Sequence, residues 1–178
     1  MQGDSFLQGQ AVILAQTSSP CCAATPVPGP KGAHFLSGGL GGLGLLAARL
    51  LVETGERQLV LSSRSDRVVA GSEGDWAWLA ACGIVTRRVR CDVSDESAVH
   101  GAMCRRLGEG VHISSVFHAA HQLVDATLGN QHALNFRRAH GPKVHGATAL
   151  HAALWCAPLQ FYNVYSSIAG LMGSAGQA

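Results

Sequence analysis

The sequence predicts an α/β domain built on a doubly wound parallel sheet, and two observations carry that expectation. From residue 33 onward, apolar runs of strand length alternate with stretches of helical period; right-handed crossovers that bury a sheet on both faces produce this pattern. Each such run also ends, at its carboxyl side, in glycine, hydroxyl, charged or small residues, while its body is mostly apolar. Open parallel sheets bind ligands beyond those carboxyl ends.

Taken in order, "AVILA" at 11 to 15 is a short candidate strand, read as the last piece of something upstream. Residues 16 to 32 hold four of the six prolines and little that can pack, so 1 to 32 is an N-terminal segment with a Pro-rich linker and 33 to 178 is the domain. Strands are expected at about 34 to 37, 58 to 62, 84 to 90, 113 to 118 and 159 to 165. Helices are expected at about 42 to 54, 75 to 82, 95 to 107 and 131 to 156. Pro142 should kink or split the last, because it removes one donor and crowds the preceding turn. The closing "SSIAGLMGSAGQA" is poor in core formers, and no further helix is expected in it.

Composition excludes several classes of function. At 178 residues the chain suits one domain, or most of one. Thirteen basic against eleven acidic side chains give a formal charge of +2, far from the field that duplex binding requires, so no nucleic-acid partner is expected. Arginines group at Arg87, Arg88 and Arg90, at Arg105 and Arg106, and at Arg137 and Arg138; solvated element edges or an acidic protein partner would explain them. The six cysteines show no C-x-x-C, and the pairs His118 with His121 and His140 with His145 lack completing ligands, so no metal is expected. Reduced thiols, no secretory signal, no arginine before Arg49 and no membrane-length apolar run make a cytoplasmic chain the default, without a membrane partner.

The strand ends carry the chemistry. "SGGLGGLG", from Ser37 to Gly44, fits G-x-G-x-x-G through Gly39, Gly41 and Gly44. It also fits [ST]-G-x-x-x-G-x-G through Ser37, Gly38, Gly42 and Gly44, with Leu40 and Leu43 between. Glycine there allows a tight turn, backbone approach to a pyrophosphate and close helix packing, and the helix that follows presents unpaired N–H groups to phosphate. Strand two ends at Ser63 and Arg64, twenty residues past Gly44. An arginine there suits the 2′-phosphate of NADPH, where an NAD site favours a carboxylate; Asp66 competes with that reading, and Arg64 could instead cap a solvated loop. Asp92 and Val93 close strand three, where the carboxylate could accept from an adenine amino group or cap the next helix. Ala119 and Ala120 after strand four could let backbone pass a cofactor or simply pack tightly.

Together "SGGLGGLG", "LVLSSRSD", "VFHAAHQLVDATL", "NFRRAHGPKVHGATAL" and "FYNVYSSIAGLMGSAGQA" resemble the successive motifs of ketoreductase domains of type I polyketide synthases, in the short-chain dehydrogenase/reductase superfamily. The resemblance runs from about 33 to 178, and animal-type fatty acid synthase ketoreductases share much of it. It implies a Rossmann-like fold that uses NADPH to reduce a β-ketoacyl thioester carried on the phosphopantetheine of an acyl carrier protein, beside other synthase domains. It further implies that Lys143 in "PKVHGA" is the active-site lysine and that Ser167 hydrogen-bonds the substrate carbonyl. From the residues alone Ser167 is a helix cap or turn residue and Lys143 a surface lysine. The family's tyrosine falls two residues past "GQA" and its asparagine a turn later, with two more strands beyond. The resemblance therefore implies a sheet lacking its last strands, a fifth strand left as an uncovered edge, and an inactive 178-residue piece. Tyr162 and Tyr165 are strand or wall residues that do not replace the missing phenol.

Two positions depart from the pattern: His121 replaces the glycine after "HAA", and Val124 replaces the first aspartate of "LDD" while Asp125 is kept. With Met172 where the opposite stereochemical class has tryptophan, the resemblance leans to the B-type, D-configured hydroxyl. The rival reading is a truncated or degenerate module that binds nucleotide or serves as scaffold without catalysis.

Overall fold

A computed structural model describes residues 12 to 14, 32 to 174 and 176. Most of the expected Pro-rich linker lies outside these residues. The strands are β1 (Val12–Leu14), β2 (Ala33–Ser37), β3 (Gln58–Ser63), β4 (Val85–Arg90), β5 (Ile113–His118) and β6 (Phe161–Tyr165). The helices are α1 (Gly42–Glu53), α2 (Glu73–Ala81), α3 (Glu96–Gly108), α4 (Ala133–His140), α5 (Gly146–Ala153) and the short α6 (Ala169–Met172). A π-helical turn, Gly141–His145, joins α4 to α5.

The sheet order is β1-β6-β5-β2-β3-β4, and every neighbouring pair from β6 to β4 is parallel. The chain leaves β2 in one direction through β3 to β4, then returns to lay β5 on the other side of β2. The order therefore reverses between β2 and β5, and a crevice opens there at the carboxyl ends.

Alternation along the strands feeds two cores. Phe35, Val60 and Val116 pack with Met103 of α3 and Leu150 of α5 on one face. Leu36 and Leu61 pack with Leu45 of α1 and Leu79 of α2 on the other. Every residue of β2 is buried, as a central parallel strand requires, whereas β4, "VTRRVR", is mostly exposed, as an edge strand. The arginine groupings are partly explained at that edge. Arg87 and Arg106 share Glu109 at 3.4 and 2.7 Å, and Arg88 lies 3.6 Å from Asp66.

Two expectations are corrected and one is borne out. The fifth strand of the domain, β6, is not an open edge, because β1 pairs antiparallel along it, Val12 with Tyr165, Ile13 with Val164 and Leu14 with Asn163. A strand needs only extended backbone and a free edge to add in this way, so Val12–Leu14 belongs to this sheet and not to an upstream unit. The stretch of 131 to 156 is split at Pro142 as expected, into α4, the π-turn that Pro142 opens, and α5. A helix does follow Ser167, a single turn over Ala169–Met172.

Candidate active site

The turn after β2 separates two uses of glycine. Gly38 adopts φ +68°, and a Cβ there would stand 2.9 Å from the backbone of Ala119 and Ala120. Small residues on both sides let this turn pass the end of β5, where the Ala119 N–H donates to the Ser37 carbonyl at 3.0 Å. A Cβ on Gly39 would lie 2.7 Å from the Leu36 carbonyl oxygen, and one on Gly44 only 2.3 Å from that of Gly38. The fold itself demands these glycines. A Cβ on Gly41 would stand 3.2 Å from the Gly38 carbonyl oxygen, still a tight approach, whereas at Gly42 a Cβ would meet nothing nearer than 3.5 Å. No side chain caps α1, so its first-turn N–H groups, at Gly42, Leu43 and Gly44, are left for a ligand. An open glycine among uncapped amides forms a cradle that fits a pyrophosphate.

Not every predicted side chain can touch a ligand. Ser37, Leu40 and Val93 are buried, so their side chains shape the site from below; the expectation that they contact cofactor is corrected to that extent. The Ser63 hydroxyl accepts from the Asp66 N–H at 3.0 Å and sets the turn that presents Arg64. Arg64 is exposed, and its guanidinium donates to Gln122 Oε1 at 3.0 Å. Asp66, the competing carboxylate, sits in a left-handed conformation (φ 51°) beside Arg88. Asp92 does not cap α3: its Oδ1 accepts from Ser94 N–H in a local turn, while Asp95 Oδ1 accepts from Ser97 and Ala98.

Beyond the switch point lies a cavity of about 590 Å³. Of the residues singled out from the sequence it brings together Leu43 from the glycine turn, Ala119, Asp125, Lys143 and Ser167, along with His121 and Val124. Lys143 is carried by the π-turn and is exposed, and among the described residues its ammonium has no carboxylate within salt-bridge distance. Ser167 serves two ends at once, since it lines the cavity while its Oγ accepts from the Ala169 N–H at 3.2 Å at the start of α6. Met172 is 78% exposed and is not among the lining residues.

The two tyrosines of β6 are walls. Tyr162 donates to the Ala147 carbonyl at 2.6 Å, and burial pushes its pKa up to about 12. Tyr165 lines the cavity, and burial likewise raises its pKa. Sequence reasoning missed Gln122, His140 and Ser174 in the lining, since nothing in their spacing marks them. It also missed His118, whose one signal was a polar side chain closing an inner strand. Among the described residues no three His, Cys, Asp or Glu side chains gather as a metal site, and no helix is long and apolar enough to cross a membrane.

The glycine turn, the parallel sheet and its switch-point crevice define a Rossmann-like domain of the short-chain dehydrogenase type. Comparison with known proteins narrows this. The family model "KR domain" matches residues 32–178. Squalestatin tetraketide synthase of Phoma sp. is 34% identical over 174 residues, 96% of this chain and 7% of that protein. Phthioceranic/hydroxyphthioceranic acid synthase of Mycobacterium tuberculosis is 36% identical over 150 residues, 84% of this chain and 7% of that one. Among solved structures, the ketoreductase from the first module of phoslactomycin biosynthesis in Streptomyces superposes with a TM-score of 0.73 at 32% identity, covering 83% of this chain and 34% of that one. The chain belongs to the ketoreductase (KR) domain family of type I polyketide synthases. It spans only a small fraction of the synthases it matches and about a third of that ketoreductase structure. The fold implies a nicotinamide cofactor.

Proposed function

We propose that this chain forms part of an NADPH-dependent reductase of β-ketoacyl thioesters borne on an acyl carrier protein, working among other synthase domains. One observation carries the reading: Lys143, Ser167 and the glycine turn's Leu43, far apart in sequence, line a single cavity at the topological switch point. The uncapped amides of α1 would hold the pyrophosphate, and Arg64 would exchange its neutral partner Gln122 for a 2′-phosphate, a stronger charge-assisted contact. The competing Asp66 is already beside Arg88.

When bound, the nicotinamide supplies the hydride. The protein's part is to orient and to move a proton. The Ser167 hydroxyl donates to the substrate carbonyl oxygen and stabilises the negative charge that develops there. The Lys143 ammonium adds positive charge to the cavity, which lowers the pKa of a phenol from its usual value near 10. That phenol is the tyrosine the resemblance implies just past Ala178; Tyr162, bonded to Ala147, cannot replace it. Asp125 in the cavity lining supports the B-type, D-configured product. Met172, standing where the opposite stereochemical class has tryptophan, is the second support for that lean.

His121 favours a second reading, a module that binds nucleotide without turnover, because a bulky imidazole lines the cavity where the family has glycine. The two are separated by assaying NADPH oxidation with a β-ketothioester surrogate in a polypeptide extended about a hundred residues past Ala178. Turnover abolished by Ser167→Ala supports reduction; NADPH binding without turnover supports the module. Fluorescence titration of the chain should show Arg64→Ala losing about tenfold to hundredfold in NADPH affinity and little for NADH. Equal losses for the two nucleotides would refute the phosphate role.

A further inference from the structure

We propose that His118 is a positioning residue whose imidazole fixes the backbone carbonyl of Lys143 and thereby aims the Lys143 side chain into the cavity. The proposal rests on the reading of Lys143 as the active-site cation.

His118 closes β5 and is 1% exposed. Its Nδ1 lies 2.6 Å from Ser37 Oγ and its Nε2 3.2 Å from the Lys143 carbonyl oxygen. A carbonyl can only accept, so Nε2 carries the proton and Nδ1 accepts from the Ser37 hydroxyl. Both ring nitrogens are thus satisfied by an uncharged imidazole. Burial favours the same state by holding the pKa below the usual histidine value, while the Lys143 and Pro142 carbonyls pull more weakly the other way.

The turn that carries Lys143 needs an external brace. Pro142 has no N–H to give, and π-winding replaces the regular helical ladder over Gly141–His145. The brace is tightly fitted: a Cβ on Gly146 would stand 3.0 Å from His118 Cε1 and 2.9 Å from Val93 Cγ2. Glycine at 146 is what lets α5 begin against the ring. The chain Ser37–His118–Lys143 therefore links the end of β2, the end of β5 and the π-turn. Cavity-lining groups lose their effect when displaced by even an ångström, so such a link matters to a side chain as flexible as lysine.

Two substitutions separate the ring nitrogens. His118→Gln can place an N–H near Nε2 and keep the Lys143 bond, whereas His118→Asn reaches only the Ser37 side. Melting of each variant by circular dichroism establishes that it is folded before NADPH is titrated. In the intact chain His118→Asn should weaken NADPH binding about tenfold, as Lys143→Ala does, and add nothing in a Lys143→Ala background. His118→Gln should bind like the parent. Equal losses for Asn and Gln, or losses that add to that of Lys143→Ala, would overturn the proposal while leaving Lys143's role intact. Unaltered binding by Lys143→Ala would remove that role and the proposal together. Independently of nucleotide, ¹⁵N NMR should find the His118 proton on Nε2; a proton on Nδ1 would overturn the assignment.

Discussion

A glycine at a ligand-binding turn can be required by the ligand or by the fold, and the space around each Cα distinguishes the two. Gly44→Ala would force a Cβ to 2.3 Å from a carbonyl oxygen, an overpacking that should cost about 1–3 kcal/mol of stability in urea unfolding. Gly42→Ala meets nothing closer than 3.5 Å, so it should melt like the parent and lose only nucleotide affinity. A Gly42→Ala variant as unstable as Gly44→Ala would show that both are structural. His118 makes a second residue-level prediction. Its folded-state pKa is lowered, so below the unfolded value of about 6.5 the unfolded chain binds more protons than the native one. The stability it contributes is complete above that pH and declines as pH falls toward the folded pKa. Melting temperature recorded from pH 8 to 5 should show this decline in the parent and a smaller one in His118→Gln.

At the scale of elements, β6, α5 and the π-turn behave as one support for the cavity wall. The Tyr162 hydroxyl ties β6 to the Ala147 carbonyl in α5, and the same α5 begins at the Gly146 that clears His118. Tyr162→Phe removes this donor, so it should destabilise the chain by about 0.5–1.5 kcal/mol. Turnover in the extended form should persist, because the Tyr162 hydroxyl is bonded to the Ala147 carbonyl and does not line the cavity. Loss of turnover in a folded Tyr162→Phe variant would reassign the general acid. Periodicity made the helices on either side of Pro142 legible, but not the π-winding between them. The winding begins at a proline without a donor, and the turn is held where His118 meets the Lys143 carbonyl and Gly146 meets Val93 and His118, both remote in sequence.

For the molecule as a whole, the crossover topology gathers the site. β2 and β5 are adjacent although the chain visits β3 and β4 between them, and that reversal puts the glycine turn beside the "HAAH" loop. The opposite edge depends on β1, which covers Asn163, Val164 and Tyr165. Removing residues 1 to 15 should expose the β6 edge and promote association, read as increased light scattering at equal concentration. A truncated chain that stays monomeric with an unchanged melt would show that the pairing contributes nothing.

Alternating periods and the residues at strand ends determined the fold class and pointed to the glycine turn and Arg64 as candidate site features, whereas Lys143 and Ser167 were singled out only by the resemblance of their motifs to those of ketoreductases. Such features are written in neighbouring residues, so sequence alone exposes them. Only tertiary structure decided that Ser37 and Val93 face inward, that Gly42 is the open position of the glycine turn, that β1 closes an edge, and that His118 braces Lys143 from 25 residues away. Each of those depends on which distant atoms occupy the surrounding space, and close packing of remote segments is set by the whole fold.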